Sequence, residues 1–163
     1  MEKSPASNYK IRFSDCDLFG HLNNARYLDY FLHAREEHLE QHYGLRLDSY
    51  YKEGTSWVVG GHQIAYLKPA MYSENVAIES RLLLAETNSL LIEMVMTDHN
   101  RTHLKSVLWT RFVPIDIKTG KRQSHPESFM EFAKSIEMPL ETLIDFNERI
   151  AQLQSGFILQ KTV

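Results

Sequence analysis

The stretch RFSDCDLFGHLNNARYLDYF, residues 12–31, sets two acids, a cysteine, a glycine, a histidine and an Asn-Asn pair directly ahead of an aromatic-rich segment. A solvent-exposed turn seldom needs so many different polar groups so close together, and the crowding points to a site. The segment after it decides the architecture. From Asn24 to Tyr43 apolar positions recur at three- and four-residue spacing (Tyr27, Tyr30, Phe31, Ala34, His38 or Leu39, Tyr43), which predicts a long helix with one apolar face, and Gly44 is a natural stop. Ahead of it, NYKIRFS (8–14) alternates apolar and polar residues and predicts a half-buried strand running into the acids.

Downstream, TSWVVGGHQIAYLKPA reads as a β-rich segment ended by Pro69. Segments 76–86, 89–98 and 103–116 are separated by connections short enough to require antiparallel hairpins, because parallel neighbours need a crossover of about a dozen residues or more. The order is strand, long helix, then about four strands. In SHPESFMEFAKSI, Ser124 and Glu127 have capping-box spacing, and Pro139 is expected to start a last helix reaching about Gln154. The expected division is a domain over 1–137 and a helical extension over 138–163 packed on it.

At 163 residues, 43% hydrophobic, the chain is the size of one core. A net charge of -3 with scattered basic residues argues against nucleic acid or an anionic membrane as partner. Cys16 is the one cysteine and has no internal disulfide partner, no apolar run approaches the ~20 residues of a membrane span, and the N-terminus lacks a signal-peptide core. A soluble cytoplasmic protein is expected. One helix covers one face of such a sheet, so the apolar SLLIEMVM segment and the strand edges are expected to be protected by a second subunit.

A carboxylate beside the unpaired amides of a helix's first turn suits acyl chemistry: the amides stabilise a developing oxyanion, and the carboxylate attacks the carbonyl or activates a water. The segment DCDLFGHLNNARYLDYF resembles the signature of the hotdog-fold acyl-CoA thioesterases of the 4-hydroxybenzoyl-CoA thioesterase type, over about residues 8–117. The resemblance implies an α+β hotdog fold, a thioester substrate on coenzyme A, no cofactor, and a homodimer or homotetramer with sites at the dimer interface. It places the catalytic carboxylate on Asp17 and the carbonyl-polarising amide on Asn24. The HLNNARY portion is also similar to acyl-ACP thioesterases, in which a histidine at the position of His21 belongs to the site, although Phe19 stands where that family carries Asn.

A basic cluster that holds the coenzyme A phosphates in some relatives is missing from AETNSLL (85–91), which leaves Lys68, Arg81, Arg101, Lys105 and Arg111 as candidates. Other readings stand beside these. Asp17 could be a turn residue, Asn23 and Asn24 N-caps, and His21 a positioning or seam residue. Asp15 is expected to be structural, and Cys16 a small packed thiol. His38 and His42 have metal-ligand spacing but no third ligand in sequence, so no metal site is expected. A non-catalytic acyl-thioester binder on the same fold is the remaining alternative.

Overall fold

The computed structural model describes residues 2–160, with the last three of these as backbone only; the end of the expected extension, 161–163, lies outside the described residues. Five strands, β1 (Ala6–Lys10), β2 (Thr55–Tyr66), β3 (Asn75–Glu86), β4 (Ser89–Asp98) and β5 (Leu104–Asp116), form one sheet in the order β1-β3-β4-β5-β2. Every neighbouring pair is antiparallel, as the short hairpins require. Helix α1 (Asn24–Tyr43) lies across one face and presses Tyr27, Phe31 and Ala34 on to Ile78, Ile92, Met94 and Leu108. It ends where Gly44 takes up a left-handed conformation and returns its amide to Glu40. A sheet wrapped on one long helix in this order is the hotdog fold. A short helix, α2 (Leu47–Lys52), leads into β2.

The first strand departs from the sequence expectation. It stops at Lys10, and Phe13–Asp15 form a single 3-10 turn. Beyond Ile11, which exchanges backbone bonds with Glu74 and Ser73, β3 offers no further partner, so the chain closes on itself through Asp15 to Arg12 and Cys16 to Phe13. Alternation in sequence cannot reveal where a partner strand ends.

The C-terminal third corrects two further expectations. Helix α3 (Glu127–Ile136) has Pro126 at its N-cap and no side-chain cap, because His125 is held by Thr87 and Ser124 lies too far back to reach the first turn. Helix α4 (Phe146–Gln160) begins well after Pro139. At its start the Asp145 carboxylate accepts the Glu148 amide and the Glu148 carboxylate accepts the Asp145 amide, each at 2.9 Å, a reciprocal capping box.

These helices also change the argument about the apolar strands. β4 is the central strand, so SLLIEMVM has no free edge. Helix α3 extends the α1 layer through Phe129, Ala133 and Ile136, while α4 lays Phe146, Ile150 and Leu153 on the opposite face against Leu83, Val107 and Trp109. Both faces of β3, β4 and β5 are thus covered within the chain, while β2 stays largely exposed. On that outer face Glu93 is fully buried and takes bonds from Arg81, from Trp109 at 2.8 Å, and from Arg149 of α4 at 2.9 and 3.0 Å. Among the described residues no helix is long and apolar enough to cross a membrane.

His38 gives the fold a pH dependence of known sign. Its ring is buried, with Nδ1 2.8 Å from the Ser80 hydroxyl and Nε2 3.0 Å from that of Ser7, while His42, four residues on, has its Nδ1 3.2 Å from the Glu2 carboxylate. Burial, reinforced by the positive charge of Arg35 and by His42 and opposed by Glu37, pushes the His38 pKa from 6.5 down to about 4. The unfolded chain takes up this proton near pH 6.5 and the folded chain only near pH 4. Stability present above pH 6.5 is therefore lost as the pH falls through that window, by up to about 3 kcal/mol. Urea unfolding of wild type and His38→Gln at about pH 7 and about pH 4.5 is expected to show a gap that narrows on acidification; a gap independent of pH would place the titration elsewhere.

Candidate active site

The stretch between β1 and α1 is tied together by local backbone bonds. The Asp17 amide donates to the His21 carbonyl at 2.8 Å, and Gly20, at φ +72°, turns the chain so that its amide reaches the Asp17 carbonyl at 3.1 Å. Asp17 Oδ1 accepts the amides of Phe19 at 2.9 Å and His21 at 3.1 Å. This is an Asx turn, and it fixes the carboxylate while Oδ2 takes no hydrogen bond within the described residues. The loop is tied down by Leu22 to Ala70 and by Tyr72 to Gly20, both at 2.8 Å.

Asn23 then caps α1: its side chain accepts the Ala25 amide at 3.0 Å and its carbonyl accepts the Arg26 amide at 2.8 Å. The Asn23 amide itself donates to the Asp15 carbonyl at 2.9 Å. Asn24, between the capped amides, keeps an N–H that donates to no group among the described residues. Its carbonyl accepts the Tyr66 hydroxyl at 3.0 Å, so the end of β2 is pinned to the first turn of the helix.

Asp17, His21, Asn24, Tyr66 and Lys68 line one cavity of about 280 Å³, closed by Tyr27 and Pro69. All three residues singled out in sequence therefore meet. The His21 imidazole lies beside Phe19, ring centroids 6.2 Å apart, and forms no hydrogen bond within the described residues. Asp15 stands apart and accepts the Tyr30 hydroxyl at 2.8 Å, a bond that ties the turn to α1. Cys16 is half-buried against the core, its thiol near the Arg12 carbonyl, and burial with Asp15 and Asp17 beside it raises its pKa.

Of the five basic candidates, Lys68 alone lines this cavity. Arg81 is committed to Glu93, Lys105 is buried on Glu74 at 2.8 Å and the Pro69 carbonyl at 2.9 Å, and Arg111 pairs with Glu86 at 3.2 Å. Arg101 sits in the β4–β5 turn at φ +57° and lines a different cavity. Lys68 and Tyr66 reach the site because β2 runs back along the start of α1, a proximity that sequence spacing does not carry.

The profile of the thioesterase-like superfamily matches residues 11–133, a span that takes in the whole sheet from β2 to β5, α1 and most of α3. The chain belongs to this superfamily. It is 30% identical over 112 residues to the long-chain acyl-CoA thioesterase FadM of Escherichia coli K12, covering 69% of this chain and 83% of that protein. Among solved structures, the YbaW probable thioesterase of E. coli is similar at a TM-score of 0.67 and 28% identity, over 80% of this chain and 96% of that one. The DHNA-CoA thioesterase of Staphylococcus aureus matches at a TM-score of 0.74 and 17% identity, over 81% and 89%, a likeness of fold.

The cap is the part of this thioesterase-superfamily site most open to a stability measurement. Asn23→Ala removes the side-chain acceptor of the Ala25 amide and is expected to lower unfolding free energy by about 1 kcal/mol. Chemical denaturation is the readout, and an unchanged midpoint would mean that the cap contributes nothing to the helix.

Proposed function

We propose that the protein hydrolyses acyl-CoA thioesters, with Asp17 as nucleophile or general base and the Asn24 amide as the donor to the thioester carbonyl. One observation carries this reading: a carboxylate oriented by two backbone amides and an undonated helix N-terminal amide line the same cavity. As the carbonyl carbon is attacked, negative charge develops on its oxygen. A fixed amide beside it is worth roughly 3–4 kcal/mol in other enzymes, because it needs no reorganisation during the reaction.

If Asp17 is the nucleophile, its carboxylate forms an anhydride with the acyl group and expels the coenzyme A thiolate, and water then cleaves the anhydride. If it is the base, it takes a proton from water as that water adds to the carbonyl, and the tetrahedral adduct collapses with loss of the thiolate. Incorporation of labelled water oxygen into Asp17 in a single turnover separates the routes. His21 is assigned to positioning substrate or water, and Lys68 is the cation placed to meet a phosphate of the carrier. The similarity to a long-chain acyl-CoA thioesterase supports coenzyme A as carrier over acyl carrier protein. Hydrolysis of one acyl chain on both carriers tests that choice.

Assembly belongs to the same proposal. β2 is a twelve-residue edge strand with Val58 and Val59 exposed, and Leu18 and Phe19 project into solvent beside Asp17. An unprotected edge of this length and an apolar rim next to the site suit pairing of two copies about a two-fold axis, with each site at the seam. Specific activity that falls together with solution mass on dilution is the expected result. A stable monomer with full activity would refute a shared site.

Asp17→Asn removes the charge at almost constant volume and is expected to lower kcat at least ~10²-fold with the fold intact, read by thiol release across a panel of acyl-CoA substrates. Near wild-type turnover would take Asp17 out of the mechanism. His21→Ala is expected to have a smaller effect, spread over kcat and KM.

A further inference from the structure

A second cavity, of about 280 Å³, lies between α1, α3 and the sheet, walled by Leu39, Trp57, Ile92, Phe112 and Phe132. Into this apolar space opens Arg35, which is 6% exposed. Its side chain donates to the Ser80 hydroxyl at 3.2 Å and forms no ion pair among the described residues. Ser80 is a weak partner because it is shared with His38.

Other buried and partly buried cations of this fold are treated differently. Arg81 and Arg149 clamp Glu93, and Lys105 pairs with Glu74. Glu36 also borders the cavity, but it is an exposed residue at the rim and does not pair with Arg35. The buried Tyr43 hydroxyl lies beside the Arg35 guanidinium and has no other polar partner among the described residues. A guanidinium without a counter-ion inside apolar walls is costly to maintain, and a bound anion would remove that cost.

We propose that this cavity binds an apolar chain that ends in a carboxylate, the chain against the aromatic and aliphatic walls and the acid on Arg35. A planar guanidinium offers a carboxylate two parallel N–H donors, and a mostly apolar pocket with one charged anchor is the usual form of a site for such an amphiphile. Arg35 stands eleven residues along α1 from Asn24, about 16 Å at the rise of a helix. The source of the ligand rests on the thioesterase reading: it is either the far end of a substrate acyl group that carries a distal acid, or the free acid that hydrolysis releases.

The test is equilibrium binding of decanoate and of decanol, read by calorimetry and by fluorescence of Trp57, which lines the cavity while Trp109 lies on the opposite face of the sheet. Wild type is expected to bind the acid at least ~10-fold more tightly than the alcohol. Arg35→Met is expected to abolish that preference, and Ala133→Leu, which fills the cavity from α3, to weaken both ligands. Should Arg35→Met fail to fold, the wild-type comparison still decides. Equal affinity for acid and alcohol, or no binding of the acid, would overturn the proposal.

Turnover of coenzyme A thioesters of a monocarboxylic and a dicarboxylic acid of equal length separates the sources. A kcat/KM preference for the dicarboxylic thioester assigns the site to substrate, and inhibition by decanoate without that preference assigns it to released acid. Acid binding with no thioester hydrolysed would keep this site and remove the thioesterase reading. Hydrolysis with no acid preference would do the reverse.

Discussion

A sheet that is apolar on both faces has to be covered twice, and this requirement organises the molecule. β3, β4 and β5 alternate without a polar face: Ile78, Ile92, Met94 and Leu108 look one way, Leu83, Leu91, Val95 and Val107 the other. Leaving either set in water would forfeit about 25 cal/mol for each square ångström of apolar surface. α1 and α3 take the first face and α4 the second. Only then does Glu93 become tolerable, because α4 brings Arg149 to share a carboxylate that Arg81 and Trp109 already hold. A buried acid of this kind adds little net stability but makes one placement of the helix much better than its neighbours, since a shifted α4 would leave charge unpaired.

The same double covering fixes the candidate site. α1 must lie along the inner face with Tyr27 and Phe31 buried, so its first turn falls at the end of the sheet where β2 runs out toward Pro69. The Tyr66 hydroxyl on the Asn24 carbonyl and the Leu22 amide on Ala70 hold that end in place. Core packing, not the loop itself, determines which side chains Asp17 faces across the cavity.

Local elements were legible in sequence because their determinants are local. The three- and four-residue spacing from Asn24 to Tyr43, stopped by Gly44, gave α1 its ends, and the two-residue link Thr87-Asn88 gave the β3–β4 hairpin. Asp17, His21 and Asn24 come together for the same reason, since a single short stretch contains the turn, the cap and the start of the helix; the roles proposed for them rest on the family resemblance. The failures lie where partners are distant. β1 ends when β3 has no more edge to offer, and α3 begins after a cap position that Pro126 fills without a side-chain bond. The start of α4 was written locally in Asp145 and Glu148, but the prolines nearby carry a stronger signal and drew the boundary too early. Tyr66 and Lys68 lie more than forty residues from Asn24, and only the path of β2 unites them with it.

This division between local and distant determinants bears on what a motif can say about a substrate. The carboxylate, its two orienting amides and the undonated amide of Asn24 all come from residues 17–24, so the whole of the proposed chemistry sits in one short stretch. The cavity proposed to take an apolar acid is lined from elsewhere: Trp57 on β2, Ile92 and Phe112 on β4 and β5, Phe132 on α3, and Arg35 a full three turns further along α1. Those positions can change without disturbing the turn, because none contributes a hydrogen bond to it. On the proposed reading, reaction type and substrate choice are held by different parts of the chain, and α1 is the element that joins them.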